Sequence, residues 1–180
     1  ADASGPKSAR MVLRNPKVDA AVLETARGGI LREGLAFQTC DVGIVLNVSE
    51  DHLGVTGGDT IADLAAVKSV VTESVRRGGM SVLNGDDAQT LRMARHAGGR
   101  IAYFSLRGGE DLPAFLGRHI AEGGLAVLRE PGRAGGELVV YREGERTLLM
   151  GAGDIPATLG GRAEFNVQNA MAAIAACLAQ

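Results

Sequence analysis

Apolar residues recur along the first two thirds of the chain in short runs that are separated by amphipathic stretches. The apolar runs span residues 18–25, 41–48, 80–85 and 100–106. Nearly continuous apolar runs of this length are typical of strands that are buried on both faces of a parallel sheet. Their alternation with helical stretches predicts an α/β fold, with a doubly wound, mostly parallel sheet and right-handed crossovers.

Three stretches between these runs have the pattern of helices. They cover residues 29–38, a segment that starts at about Thr60, and residues 87–99. Asp86 or Asp87 is placed to cap the start of the last helix, and a glycine pair follows its end.

The pattern changes in the last third of the chain. Residues 125–150 contain three short apolar runs separated by the turn sequences PGRAGG and REGE, which predicts a small antiparallel β meander. Residues 160–180 begin with a glycine pair and continue into an alanine-rich stretch with high helix propensity. A chain of 180 residues is long enough for one domain with a sizeable core.

Lys68 lies near the middle of the apolar stripe of the helix that starts near Thr60. The stripe consists of Ile61, Leu64, Lys68, Val71 and Val75. A buried and unpaired ammonium group loses its proton readily, because burial disfavours the charged form. A neutral lysine amine can react with carbon dioxide to give a carbamate, which supplies a carboxylate. The alternative is a side chain that lies along apolar surface and keeps its charged end in water.

Two further polar residues are placed for chemistry, because Glu24 ends the first apolar run and His52 follows the second. Ligands of open α/β sheets bind beyond the carboxyl ends of the strands, so we expect Glu24, His52 and Lys68 to converge there. Carboxylate oxygens suit Mg²⁺, which commonly bridges phosphates. In the simpler interpretation, Glu24 is a solvated turn residue and His52 orients a loop.

Composition and charge narrow the class of protein. Apolar residues make up 46% of the chain and charged residues 22%, as in soluble globular proteins. A net charge of −2 with scattered basic residues argues against binding to nucleic acid or to an anionic membrane. Two cysteines, Cys40 and Cys177, form no disulfide framework, and there is no leader or apolar run near 18 residues. We therefore expect a cytoplasmic protein.

Five motifs together resemble the central ATPase domain of the Mur ligases. In order they are ETARGGILREGL, NVSEDHLG, Lys68 at 16 residues after His52, VLNGDD and FNVQNAMAA. The longer stretch SGPKSARMVLRNPKVDAAVLETARGGILREGL is more specifically similar to the cyanophycin synthetases, a branch of these enzymes. The resemblance covers essentially the whole chain.

The resemblance implies an ATP-dependent amide-forming ligase. Mur-type ligases phosphorylate a carboxylate with ATP, and an amine then attacks the acyl phosphate. In the cyanophycin branch, the Mur-like half joins arginine to the aspartate side chains of the polymer cyanophycin through an isopeptide bond. The resemblance thus implies ATP and Mg²⁺ as cofactors, arginine and the aspartate-containing polymer as partners, and a homo-oligomeric full-length protein.

The resemblance also assigns roles to the three residues at the predicted strand ends. Glu24 matches the Mg²⁺-binding glutamate of the family, and His52 matches the histidine of the second Mg²⁺ site. Lys68 matches the lysine that many members carry as a carbamate. All three are therefore expected to be metal-binding and catalytic residues.

Nucleotide and substrate residues follow from the same resemblance. Asn166 and Asn169 match the asparagines at a helix start where adenine is held, although Phe165 stands where many members have histidine. Arg27 and Arg32 follow the metal-binding glutamate and are expected to face the acidic polymer.

The chain also departs from the family pattern. The phosphate-loop motif GxxxxGK[ST] does not occur in these 180 residues, and the family carries it upstream of the matched region. The C-terminal ligase domain of the family is missing too. We therefore expect residues 1–180 to be a single partial domain that is inactive alone.

The sequence leaves three alternative functions open. One is another Mur-type ligase that acts on a muropeptide or a folylpolyglutamate, and another is a non-catalytic module that keeps the Mur fold as a scaffold. The third is a metal-dependent hydrolase using Glu24 and His52, which the lack of an HExxH motif or a second nearby histidine disfavours.

Overall fold

The structure is a computed structural model that describes residues 5–49, 60–133 and 135–179. These residues form six α-helices and six β-strands. The helices are α1 (Pro6–Leu13), α2 (Arg27–Glu33), α3 (Ile61–Glu73), α4 (Ala88–Met93), α5 (Ala114–Ala121) and α6 (Glu164–Leu178). The strands are β1 (Cys40–Val45), β2 (Val75–Asn84), β3 (Arg100–Ser105), β4 (Leu125–Glu130), β5 (Glu137–Arg142) and β6 (Glu145–Gly151).

All six strands belong to one sheet, in the order β1-β2-β3-β4-β5-β6. Strands β1 to β4 are parallel to one another, whereas β4, β5 and β6 are joined antiparallel. The predicted α/β fold is therefore confirmed, and so are the mostly parallel sheet and the meander near residues 125–150. The meander extends the main sheet because β4 pairs with β3 on one side and β5 on the other.

Helices cover both faces of the sheet. Alternate residues of each strand point to opposite faces, so each face has its own buried cluster. On one face, Phe104 and Val127 belong to a buried cluster with Val167 and Met171 of α6. The other face is covered by α3, α4 and α5. Its buried cluster consists of Val45, Val48, Leu64, Leu83, Met93, Tyr103, Leu116, Ala126 and Leu128.

Helix α6 runs antiparallel to the parallel strands. Glu164 at its start forms an ion pair with Arg129 near the end of β4, at 3.5 Å. Leu178 at its end lines a cavity together with Leu125, the first residue of β4. The start of α6 therefore lies at the edge of the sheet where the parallel strands have their carboxyl ends.

The prediction of a strand over residues 18–25 is wrong. The structure has no strand there, and Val22 is fully exposed. Within the described residues β1 is an edge strand that pairs only with β2, and segment 18–25 does not pair with its open edge. An apolar run forms a strand only where another strand satisfies its backbone hydrogen bonds.

The helix boundaries also differ from the pattern in two places. The helix predicted over 29–38 ends at Glu33, because Gly34 adopts a positive φ of 69° that terminates α2. Val75 belongs to the predicted stripe of the Lys68 helix, but in the structure it is the first residue of β2. Helices α1 and α5 were not predicted, although Pro6 begins one and Pro113 precedes the other.

The predicted helix starts of α3 and α4 are confirmed. Thr60 caps α3 through a reciprocal pair of hydrogen bonds with Asp63. Asp87, rather than Asp86, caps α4 by accepting the amides of Gln89 and Thr90.

A polar cluster joins the three strands of the meander. Glu130 is only 9% exposed, and its carboxylate accepts hydrogen bonds from the Tyr141 hydroxyl at 2.6 Å and from Arg146 Nη2 at 2.7 Å. Burial alone would raise the pKa of Glu130, but the hydrogen bonds from Arg146 and Tyr141 and the Arg146 charge outweigh it. The pKa of Glu130 is therefore lowered from 4.5, so ionised Glu130 stabilises the fold.

We expect this cluster to make the chain less stable in acid. A carboxyl group with a lowered pKa contributes stability above its unfolded pKa, and this contribution is lost as pH falls through the folded value. The free energy of unfolding of the chain, measured by urea titration, should decrease as pH falls below about 4.5. The decrease should be smaller in Glu130→Gln than in the exposed control Glu145→Gln. Equal acid sensitivity of both variants would contradict the role of Glu130.

Candidate active site at the carboxyl edge of the sheet

Three side chains hold the backbone that leaves the end of β1. They come from the end of β2, from the middle of α3 and from the cap of α4. The contacts are Asn84 Nδ2 to the Leu46 carbonyl oxygen at 2.8 Å, Lys68 Nζ to the Asn47 carbonyl oxygen at 2.7 Å, and the Val48 amide to Asp87 Oδ2 at 2.7 Å. Residues 46–48 are therefore fixed at the carboxyl edge of the sheet.

Lys68 is partly buried in α3 and its ammonium group is paired. Burial lowers the pKa of Lys68, and the negative charge of Asp87 offsets only part of this decrease. The Nζ group has a partner in the described structure, because it donates to the Asn47 carbonyl oxygen. A carbamate would keep one N–H on Nζ, so this hydrogen bond is compatible with either form of Lys68.

Asp87 accepts three backbone hydrogen bonds. Its Oδ1 accepts from the Gln89 amide at 2.7 Å and the Thr90 amide at 3.1 Å, and its Oδ2 accepts from the Val48 amide. Asp87 therefore caps α4 and at the same time holds the end of β1. The sequence indicated only the first of these roles.

Asp86 makes a similar set of contacts on the other side of β2. Its carboxylate accepts from the Ser105 hydroxyl at 2.6 Å, the Leu106 amide at 2.7 Å and Arg107 Nε at 2.9 Å. The adjacent acidic residues of the VLNGDD motif thus connect the end of β2 to the ends of β1 and β3. Sequence analysis missed this arrangement, although two aspartates directly after a strand were a signal for it.

Glu24 lies apart from this group of contacts. Its side chain is exposed, and it lines a small pocket with Pro6, Ala9 and Gly29 of α1 and α2. Across the described ranges, no hydrogen bond or ion pair connects Glu24 with Lys68. Those ranges also contain no group of three His, Cys, Asp or Glu side chains that could hold a metal ion. His52 lies outside the described residues.

The two arginines predicted to bind substrate follow Glu24 in helix α2. Arg27 is the first residue of this helix, and Arg32 lies in its last turn. The Arg32 side chain is exposed and donates from Nε to the Gly28 carbonyl oxygen at 3.0 Å. Binding of an acidic polymer by these arginines stays a prediction.

Asn166 and Asn169 lie at the start of α6, on the opposite face of the sheet from Lys68. Asn166 donates from Nδ2 to the Ala157 carbonyl oxygen at 2.6 Å, whereas Asn169 is exposed. Strands β1 and β4 are three strand spacings, or roughly 14 Å, apart along this edge. This edge is therefore wide enough for an extended ligand to reach from one group to the other.

Residues 4–177 match the family model of the Mur ligase middle domain, so the chain belongs to this family. Cyanophycin synthetase from Geminocystis herdmanii is 49% identical over 173 residues, which cover 96% of this chain and 19% of that protein. Cyanophycin synthetase from Synechocystis sp. is 49% identical over 179 residues, with 99% and 19% covered. The chain thus spans about a fifth of the length of these curated relatives.

Among solved structures, a crystal structure of MurF from Acinetobacter baumannii superimposes with a TM-score of 0.47. The match covers 77% of this chain and 25% of that chain, at 23% sequence identity.

Among the described helices, none is both long and apolar enough to cross a membrane.

Proposed function

We propose that this chain is the middle domain of a longer ATP-dependent ligase of the cyanophycin synthetase type. The observation that carries the proposal is the 49% identity to two cyanophycin synthetases over nearly the whole chain. On this proposal, the intact enzyme joins arginine to the aspartate side chains of the polymer. We also propose that it is cytoplasmic and homo-oligomeric, which fractionation and light scattering would test.

The proposed reaction has two steps. A carboxylate oxygen of the polymer attacks the γ-phosphorus of ATP, so an acyl phosphate forms and ADP leaves. The arginine amine then attacks the acyl carbon, phosphate leaves, and the amine proton is lost to give the amide. The first step brings two negative groups together, and the second places negative charge on the acyl oxygen and the leaving phosphate, so catalysis depends on positioning and on neutralising charge.

The chain's own residues would position these groups from both faces of the sheet. Asn166 and Asn169 would hold the adenine at the start of α6, and Arg27 and Arg32 would face the acidic polymer. Lys68 would act from the other face, close to the fixed backbone at the end of β1. The edge between these groups would hold the phosphates and the reacting carboxylate.

The chemistry of the donor set decides whether Mg²⁺ fits here. Glu24 offers exposed carboxylate oxygens, whereas Lys68 as an ammonium would repel a cation. A carbamate on Lys68 reverses that sign, so the residues fit Mg²⁺ when Lys68 is carbamylated. Glu24, His52 and Lys68 would then hold Mg²⁺ at the two metal sites that the resemblance implies, and bound Mg²⁺ would neutralise charge on the phosphate oxygens.

The experiment that tests the proposal is an assay of the longer protein with a β-aspartate-containing primer and free arginine. We expect ATP consumption that requires both, and none from the 180-residue chain alone, which lacks a GxxxxGK[ST] motif. Turnover with a muropeptide or folate substrate instead would favour another Mur-type ligase. A folded protein that consumes no ATP with any of these substrates would favour the non-catalytic scaffold. Substrate hydrolysis without ATP would favour the metal-dependent hydrolase.

Replacement of Glu24 by alanine should raise the Mg²⁺ requirement of the longer enzyme. Loss of a charged ligand weakens metal binding, so the Mg²⁺ concentration for half-maximal rate should rise by roughly 10-fold or more. The control is Glu122→Ala, an exposed glutamate in the cavity at the opposite edge of the sheet. Indistinguishable Mg²⁺ titrations of the two variants would rule out Glu24 as a ligand.

A further inference from the structure

A single peptide group connects Lys68 with Asp87. The carbonyl oxygen of Asn47 accepts from Lys68 Nζ at 2.7 Å, and the amide of Val48 donates to Asp87 Oδ2 at 2.7 Å. These two atoms belong to the same peptide unit, which is planar and trans, so its C=O and N–H point in opposite directions. The lysine and the aspartate therefore hold this unit from its two sides.

The charges at the two ends strengthen this arrangement. A cationic donor at the carbonyl and an anionic acceptor at the amide polarise the peptide unit in the same direction. Hydrogen bonds in such a chain strengthen one another, and those with a charged partner are the stronger kind. Asp87 thus fixes the position of Nζ without touching it, through the peptide between Asn47 and Val48.

Asp87 itself is held rigidly. Its other carboxylate oxygen accepts the amides of Gln89 and Thr90 at the start of α4, so the side chain has little freedom to rotate. The side chain of Val48 is buried at 8% exposure, which fixes the far side of the peptide. The position of Nζ is therefore tied to β2 and α4 as well as to its own helix.

We infer that Asp87 is a positioning residue for Lys68, acting through the peptide group between residues 47 and 48. The inference rests on the proposed function for its kinetic consequence, but the contact itself does not. Loss of the Asp87 charge weakens the hold on the peptide and leaves Nζ free to move. The rate of the chemical step then falls, while the start of α6, on the opposite face, continues to bind nucleotide.

The first test is a double-mutant cycle in the longer enzyme. Asp87→Asn keeps a side-chain oxygen that can cap α4, so the fold is preserved. We expect kcat to fall by roughly 10-fold, as for other residues that orient an active group, with KM for ATP within about twofold. In a Lys68→Ala background the same change should cost less than about twofold, because Asp87 acts through Lys68. Equal losses in both backgrounds would overturn the inference.

The matched control is Asp154→Asn. Asp154 also accepts a backbone amide, that of Gly151 at 3.1 Å, but it lies after β6, five strands away from β1. Its replacement should leave kcat unchanged within about twofold, since a change of this kind away from the site has only a small effect. A loss of kcat equal to that of Asp87→Asn would mean that the effect is one of general stability.

The second test does not depend on ligase activity. Brief acetylation of the longer protein, followed by mass spectrometry, compares the labelling of Lys68 with that of exposed Lys17. Asp87→Asn should increase the labelling ratio of Lys68 to Lys17 severalfold, because Nζ is released from the Asn47 carbonyl. An unchanged ratio would overturn the inference. If the wild-type enzyme shows no arginine-dependent turnover, the proposed function fails, and the labelling ratio still decides on Asp87.

Discussion

Replacement of Lys68 by alanine is expected to remove most arginine-dependent ATP consumption of the longer enzyme. Lys68 lies at the carboxyl edge of the sheet with its Nζ fixed on the Asn47 carbonyl, and in the proposed function it carries the carbamate. Loss of one preorganised charged group at a phosphoryl-transfer site costs on the order of 10²-fold in kcat. Steady-state ATP consumption with primer and arginine measures the effect.

Two controls separate the carbamate from a purely structural role of Lys68. Lys17→Ala removes an exposed lysine and should leave the rate unchanged. Added acetate should partly restore the rate of Lys68→Ala, because it supplies a carboxylate to the vacated space. Wild-type turnover of Lys68→Ala would refute the catalytic role. Loss of turnover without any rescue by acetate would favour a structural role for the hydrogen bond to Asn47.

Replacement of Phe104 by alanine should reduce the free energy of unfolding more than any other substitution proposed for this chain. Phe104 is fully buried in β3, in the cluster that packs the sheet against α6. Large-to-small replacements of buried phenylalanine cost about 3 to 5 kcal/mol, because they remove buried surface and leave a cavity. Urea denaturation of the chain, followed by circular dichroism, measures this change.

The matched control is Phe165→Ala, since Phe165 is 65% exposed at the start of α6. Its replacement should change the free energy of unfolding by less than about 0.5 kcal/mol. Similar losses in the two variants would mean that α6 does not pack on the sheet as described. The same control shows whether the exposed aromatic ring at the start of α6 contributes to stability.

The sequence predicted β1 to β4 correctly because these strands are buried on the faces that helices cover. It failed for residues 18–25, which have the same apolar pattern but pair with none of the described strands. A pattern of side chains shows that a segment can be buried in a sheet. It does not show whether a neighbouring strand is there to accept its backbone hydrogen bonds.

The candidate site could be predicted only where side chains carry the information. Lys68 is conspicuous because a lysine interrupts an apolar stripe, and Asp87 because an aspartate begins a helix. Their connection runs through the backbone of Asn47 and Val48, which any pair of residues other than a proline at position 48 could provide. Sequence analysis therefore found both ends of the arrangement and missed the link between them.

This link has a consequence for anyone who redesigns the edge of the sheet. Both hydrogen bonds end on main-chain atoms, so an alanine scan across residues 47 and 48 leaves them in place. Position 47 is thereby open to variation, whereas a proline at position 48 would delete the amide hydrogen itself. A library that varies only positions 47 and 48 and omits proline would never sample the loss of this contact, and the linkage would remain hidden in its results.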